Sequence, residues 1–225
     1  MDFFRAVYAY IESGIPMVAA MTQKEHAVTL IGHGKIDNQA LQASNDTVIY
    51  VADYLEEFII SNDNELPFTT IAKENHLYTF VDLDYVVVPL YEKMYLNANI
   101  VHKRVEGLIS SQILEFQENI VLRVYLTSVR SLKREILKDS LMDETLKSII
   151  LKLHTPQFVW CADMYTKDEY SKQLTSAKII IDSTAGTYED DPWLLMHDGK
   201  KLIFRDEYEI KRIDMEIDPY TIVHK

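Results

Sequence analysis

The 225-residue chain carries 35 acidic against 23 basic residues, a formal net charge of −12 and a pI near 5.0. That balance excludes nucleic acid and an anionic membrane as its main partner, because both require a concentrated basic face, and the one basic run, "RSLKREILK", is only the side of a helix. No apolar run reaches the roughly 18 residues of a spanning helix, so no membrane span is expected. The start "MDFFRAVYAYIESG" has neither a basic n-region nor a small-residue cleavage site, so the expected compartment is the cytoplasm. The single cysteine, Cys161, excludes internal disulfides and multi-cysteine zinc sites.

In chain order, "DFFRAVYAYIES" places Phe3, Val7, Tyr8, Tyr10 and Ile11 near one stripe and stops at Gly14 before Pro16, which predicts a short amphipathic helix with a glycine stop. "IPMVAAM" and "HAVTLIGH" are apolar runs too short for stable helices and read as adjacent buried strands. "TVIYVA", "EEFIISND" and "DYVVVPLY" read as three more. The character changes near residue 95. Ile100, Val101, Val105, Leu108, Ile109 and Ile113 are spaced for a helix from about Asn97 to Phe116, followed by the strand "NIVLRVYLTSV" and the helical stretches "SLKREILKD" and "DETLKSIILKL", the latter capped by Asp143. "QFVWCADMY", "AKIIIDSTA", "WLLMHD" and "KLIFRD" complete the strands, with "KDEYSKQL" a short helix between the first two. The expected fold class is α+β: a sheet region over residues 1–95, then a mixed α/β region over 96–225.

The series "IESGIPMVAAM…HAVTLIGHG" followed by "FIISNDNELPF" resembles the histidine-bearing half of a papain-like cysteine peptidase domain, of the type that processes bacteriocins. The resemblance covers roughly residues 8 to 70. It implies an antiparallel sheet whose central strand opens on the general base, a following strand that supplies an Asp or Asn to orient the imidazole, and a cysteine on a facing helix. Carried onto this sequence, His26 is the base and Asp63 its orienting partner. The sequence departs from the family at the nucleophile: 25 residues precede His26 and none is cysteine. Ser13 sits at a helix C-terminus, where the dipole opposes an anionic nucleophile. Cys161 could complete a permuted site only from a helix N-terminus, yet "QFVWCADMY" reads as a strand around a buried thiol.

The remaining candidates are weaker. His26 and His33, seven apart in one strand, are expected on opposite faces and so do not form a metal pair. Asp82 and Asp84 end a strand as solvated acids, and "IIIDSTAGTYEDD" lacks the Gly-Lys-Ser/Thr of a phosphate loop. "TYEDDPW" offers a tyrosine-bearing recognition surface. No metal or cofactor is expected. The expected function is a papain-like cysteine peptidase homologue without its cysteine segment, inactive alone. The alternative is a non-catalytic interaction module whose groove binds a peptide or protein. A sheet without its cysteine helix is further expected to expose an apolar surface beside His26, covered by the second half or by self-association as a homo-oligomer rather than by the N-terminal helix.

Overall fold

The computed structural model describes residues 3–65, 68–74, 77–111, 113–115, 119–186, 191–206 and 209–215. The fold is α+β, with two sheets. The chain divides into two compact units, residues 1–45 with 49–92, and residues 46–48 with 93–225.

The first unit opens with α1 (Phe3–Glu12), which ends as its sequence predicts: Gly14 takes φ +72°, its N–H donates to the Ile11 carbonyl, and the Ile15 N–H reaches back to Tyr10. This paired closure satisfies carbonyls that the helix end would leave bare. The sheet is antiparallel in the order β5-β4-β2-β1-β6, from β1 (Met17–Met21), β2 (His26–His33), β4 (Glu57–Ser61), β5 (Thr69–Ala72) and β6 (Tyr85–Val87). Pairing of Met21 with His26, Ala19 with Val28 and Met17 with Leu30 puts these residues on one face, continued by Ile60, Phe58 and Ile71. Met17, Ala19, Met21, Val28, Leu30, Phe58, Ile60 and Ile71 are all buried. Phe4 of α1 stacks on Phe58 and Phe80 over this face. Arg5 lies over the Tyr50 ring and forms a two-pronged ion pair with Asp53, at 2.8 and 2.6 Å, which fixes the start of the helix.

β2 is not regular. Leu30 pairs with Ile60 and His33 with Phe58, so three steps along β2 answer two along β4, and Ile31 is the extra residue of a β-bulge. Phe58 and Ile60 share a face, hence Leu30 and His33 do too. The expectation that His26 and His33 point to opposite faces is therefore corrected: the bulge restores both to the inner face.

The second sheet has seven strands in the order β12-β11-β10-β9-β8-β7-β3, of which β7 to β12 and Val48 of β3 belong to the second unit. It comprises β3 (Val48–Tyr50), β7 (Ile120–Ser128), β8 (Phe158–Tyr165), β9 (Ala177–Asp182), β10 (Trp193–His197), β11 (Lys201–Asp206) and β12 (Glu209–Asp214), and β7 to β12 form an antiparallel meander. One face carries Tyr125, Cys161, Ile180, Leu195 and Leu202 in a core with Leu132 and Ile136 of α4 (Val129–Lys138) and Leu146 and Ile150 of α5 (Glu144–Lys152). The other face carries Trp160, whose indole N–H donates to the Leu96 carbonyl at 3.0 Å, just ahead of α3 (Ala98–Ser110). Asn97 caps α3 at its start. α3 stops well short of the expected Phe116, because the Ser110 and Ser111 hydroxyls bond back to the Glu106 and Leu108 carbonyls and take over the last turn. α2 (Asn38–Ala43), capped by Asp37, and α6 (Lys167–Lys172), closed by a reciprocal Thr166–Glu169 cap, complete the helices.

Candidate active site

His26 opens β2 opposite the end of β1, on the inner face of the five-stranded sheet and half-buried. Its Nε2 lies 2.9 Å from Oδ1 of Asn62. Asn62 follows the last residue of β4, and parity explains its direction: Phe58 and Ile60 point inward, Ser61 outward, so Asn62 returns to the face that holds His26. Asn62 is itself 5% exposed and doubly held. Its Oδ1 also accepts the Asn64 backbone N–H at 3.0 Å, and its amide donates to the Tyr78 hydroxyl at 3.5 Å. The Tyr78 ring stacks beside the imidazole, centroids 6.1 Å apart and planes 20° from parallel.

Because Oδ1 is an acceptor, the imidazole nitrogen facing it is the protonated one, which leaves Nδ1 as the basic lone pair. Among the described residues, Nδ1 has no recorded partner. One ring nitrogen is thus oriented by a buried amide.

Asp63 does not fill the expected role. It stands exposed in the turn after β4, and no hydrogen bond joins it to His26. The strand ends at Ser61, two residues before Asp63, and the alternation that turns Asn62 inward turns Asp63 out. The expected pairing of His26 with Asp63 is thus corrected by one residue, to Asn62. Phe58-x-Ile60-x-Asn62 was the signal in the sequence, a run in which the polar residue sharing the apolar face is the asparagine. Tyr78 carried no such signal, since it comes from a separate segment.

The other candidates are accounted for structurally. His33 is engaged by Glu12 of α1 at 2.7 Å and by the Gly34 carbonyl at 3.0 Å, with Tyr8 packed on its ring. Asp82 caps the short turn Phe80–Asp82 through Thr79. Asp84 accepts the Thr22 backbone N–H, and hydrogen bonds from Thr22 hold its carboxyl below the usual range. Ser13 Oγ donates to the Ala9 carbonyl. Cys161 lies mid-strand in β8, fully buried, and burial pushes its thiol up to about 12. It is not at a helix N-terminus, so the permuted site has no geometric basis. Residues 187–190 of the "TYEDDPW" segment lie outside the described residues.

The expected bare surface beside His26 is absent from the inner face, where Met21, Val28 and Ile60 are at most 3% exposed. At the His33 end of that face the cover is α1, the helix judged a poor candidate from sequence. On the opposite face exposed apolar residues do stand together, where Val18 pairs with Val87 and Tyr85 pairs with Ala20.

No family model matches the chain, and no curated protein or solved structure matches it either.

Proposed function

We propose that this chain supplies the histidine half of a papain-like cysteine peptidase site, with His26 as general base through Nδ1 and Asn62 as the residue that fixes its tautomer. The observation that carries the reading is the 2.9 Å contact from His26 Nε2 to Oδ1 of Asn62, a buried side chain anchored through Oδ1 by the Asn64 N–H and through its amide by the Tyr78 hydroxyl. In a cysteine–histidine site the base must present one bare nitrogen to the thiol while a third group holds the other. Asn62 meets the second requirement without adding a charge. The chain's one cysteine is Cys161, whose raised pKa and burial make it unfit as nucleophile. The chain is therefore inert alone, and a thiol from outside these residues would complete the site.

Long-range ¹H–¹⁵N correlation of the His26 ring tests this directly. The Nε2–H tautomer should dominate at neutral pH and lose its dominance in Asn62→Ala. A ring protonated on Nδ1, or peptidase activity of this chain that Cys161→Ser abolishes, would overturn the reading.

A second reading, a non-catalytic interaction module, is favoured by the outer face of the same sheet. Val18, Val87 and Tyr85 are each more than half exposed in adjoining positions, and apolar clusters of this kind mark contact surfaces. Sedimentation of the chain against a Val18→Lys variant separates self-association through this face from a monomer.

A further inference from the structure

α4 turns Leu132 and Ile136 into the core, so the helical repeat sends Arg130, Arg134 and Lys138, each four residues from the next, along its outer side. All three are exposed. Among the described residues none of them has a recorded hydrogen bond or ion pair, in a chain where acids outnumber bases 35 to 23 and where Arg5, Lys147 and Lys201 each find a carboxylate. The acids near the stripe are engaged elsewhere. Glu135 lines the cleft between α4 and the sheet, Asp139 accepts the Leu141 and Met142 N–H groups, and Glu144 pairs with Lys147.

Within the helix the stripe is unfavourable. Like charges one turn apart repel, and Arg130 stands in the first turn of α4, which contains no acid and where the dipole disfavours a cation. One apolar side chain shares this side: Leu137, three residues on from Arg134 and seven from Arg130, is 64% exposed. The outer side of α4 thus sets an uncovered leucine among three cations.

We propose that this side of α4 is a docking surface for an acidic, amphipathic segment of a partner protein, with carboxylates spaced for Arg130, Arg134 and Lys138 and an apolar side chain for Leu137. Charge complementarity names the occupant. An anionic membrane would gain a single leucine, because Leu132 and Ile136 of α4 are buried in the core. Nucleic acid would meet three cations spread over about 12 Å of helix, on a chain of net charge −12, and its phosphates would leave Leu137 without a contact. A second copy docked about a two-fold axis would set the stripe against itself. The inference stands apart from the peptidase reading, since α4 belongs to the second unit.

Amide ¹H–¹⁵N spectra of the full chain test it, titrated with a helical peptide that carries a glutamate at every fourth residue and a leucine beside the central one. Shifts should map to residues 129–138 and saturate with a dissociation constant of about 1 mM or tighter. The same peptide with glutamine for glutamate should bind at least about tenfold weaker. So should the glutamate peptide with the double variant Arg130→Glu, Arg134→Glu, whose changes lie at exposed positions. Leu137→Ser should weaken the peptide several-fold at unchanged charge. Absence of saturable shifts at about 5 mM peptide, where a millimolar site would be mostly filled, would overturn the proposal. Equal binding of the glutamine peptide, or no effect of Leu137→Ser, would do the same. So would tighter binding of duplex DNA or of phosphatidylserine vesicles, or α4 shifts that follow protein concentration alone, which would assign this side to a second copy.

Discussion

Among the described residues, His197 is the imidazole in the driest place: no part of it is exposed, and neither ring nitrogen has a hydrogen-bond partner. Burial first, and the Lys178 ammonium across the strand pair second, depress its pKa to about 4, while Asp198 and Asp163 oppose them more weakly. In the unfolded chain the ring titrates near 6.5. Between about pH 6.5 and about 4 the unfolded state therefore takes up a proton that the folded state refuses, and stability falls as the pH falls. The full window is worth about 3 kcal/mol. Urea midpoints measured from about pH 7.5 down to about 4.5 should decline in the natural chain and decline less in His197→Met; parallel declines would assign the pH dependence to other groups. At this scale the sequence was legible only where alternation spoke. Parity along Phe58, Ile60 and Asn62 identifies the inward polar residue, whereas nothing in "WLLMHDGK" distinguishes a sealed histidine from an exposed one, because the seal comes from strands and helices elsewhere in the chain.

Elements with a clear apolar period were legible, and those without were not. The α1 stop, the β1–β2 neighbours, the strand at Cys161 and the Asp143 cap all follow from local pattern, and Asp143 does accept the Thr145 and Leu146 N–H groups. β12 was invisible, since "EIKRID" is exposed or half-exposed along its whole length and becomes a strand only by pairing residue for residue with β11. α2 is a turn and a half of "NQALQA" with one buried residue, Leu41, too short to show a period. The bulge at Ile31 was hidden for a different reason: an extra residue leaves the composition of a strand unchanged and alters only its phase. The bulge makes an unusual forecast. Deleting Ile31 removes the surplus residue and leaves Leu30 and His33 on the same face, two apart in a regular strand. Circular dichroism should show the deletion variant folded and cooperative. Deleting Ile59 from the unbulged partner strand puts Phe58 and Ile60 on opposite faces and should prevent folding of the first unit. If both deletions behave alike, the phase argument is wrong.

The whole molecule has two compact units and one cysteine, which serves as an internal reporter for the second of them. Cys161 sits between Tyr125 and Ile180 with no exposed surface, and burial raises its pKa to about 12, so both access and ionisation suppress its reaction. Iodoacetamide should leave the native thiol unmodified and label it only as rising urea unfolds the seven-stranded sheet. Rapid modification without denaturant would contradict the burial and revive Cys161 as a nucleophile. The change of character near residue 95 was legible in the sequence because a long helix follows a run of strands. The membership of residues 46–48 in the second unit was not, since the segment that leads into β3 takes its allegiance from a distant partner, here through the Ile120 N–H bonded to the Thr47 carbonyl. That early strand has a consequence for the order in which the protein is made. From β7 to β12 each strand pairs with the one synthesised just before it, while β3 has left the ribosome long before β7 appears. β7 thus meets a strand made earlier, each later strand meets its predecessor, and the sheet extends in one direction, away from β3. Among the described residues the newest strand is β12, whose Glu209, Lys211, Arg212 and Asp214 offer the next chain on a crowded polysome a poor edge to join.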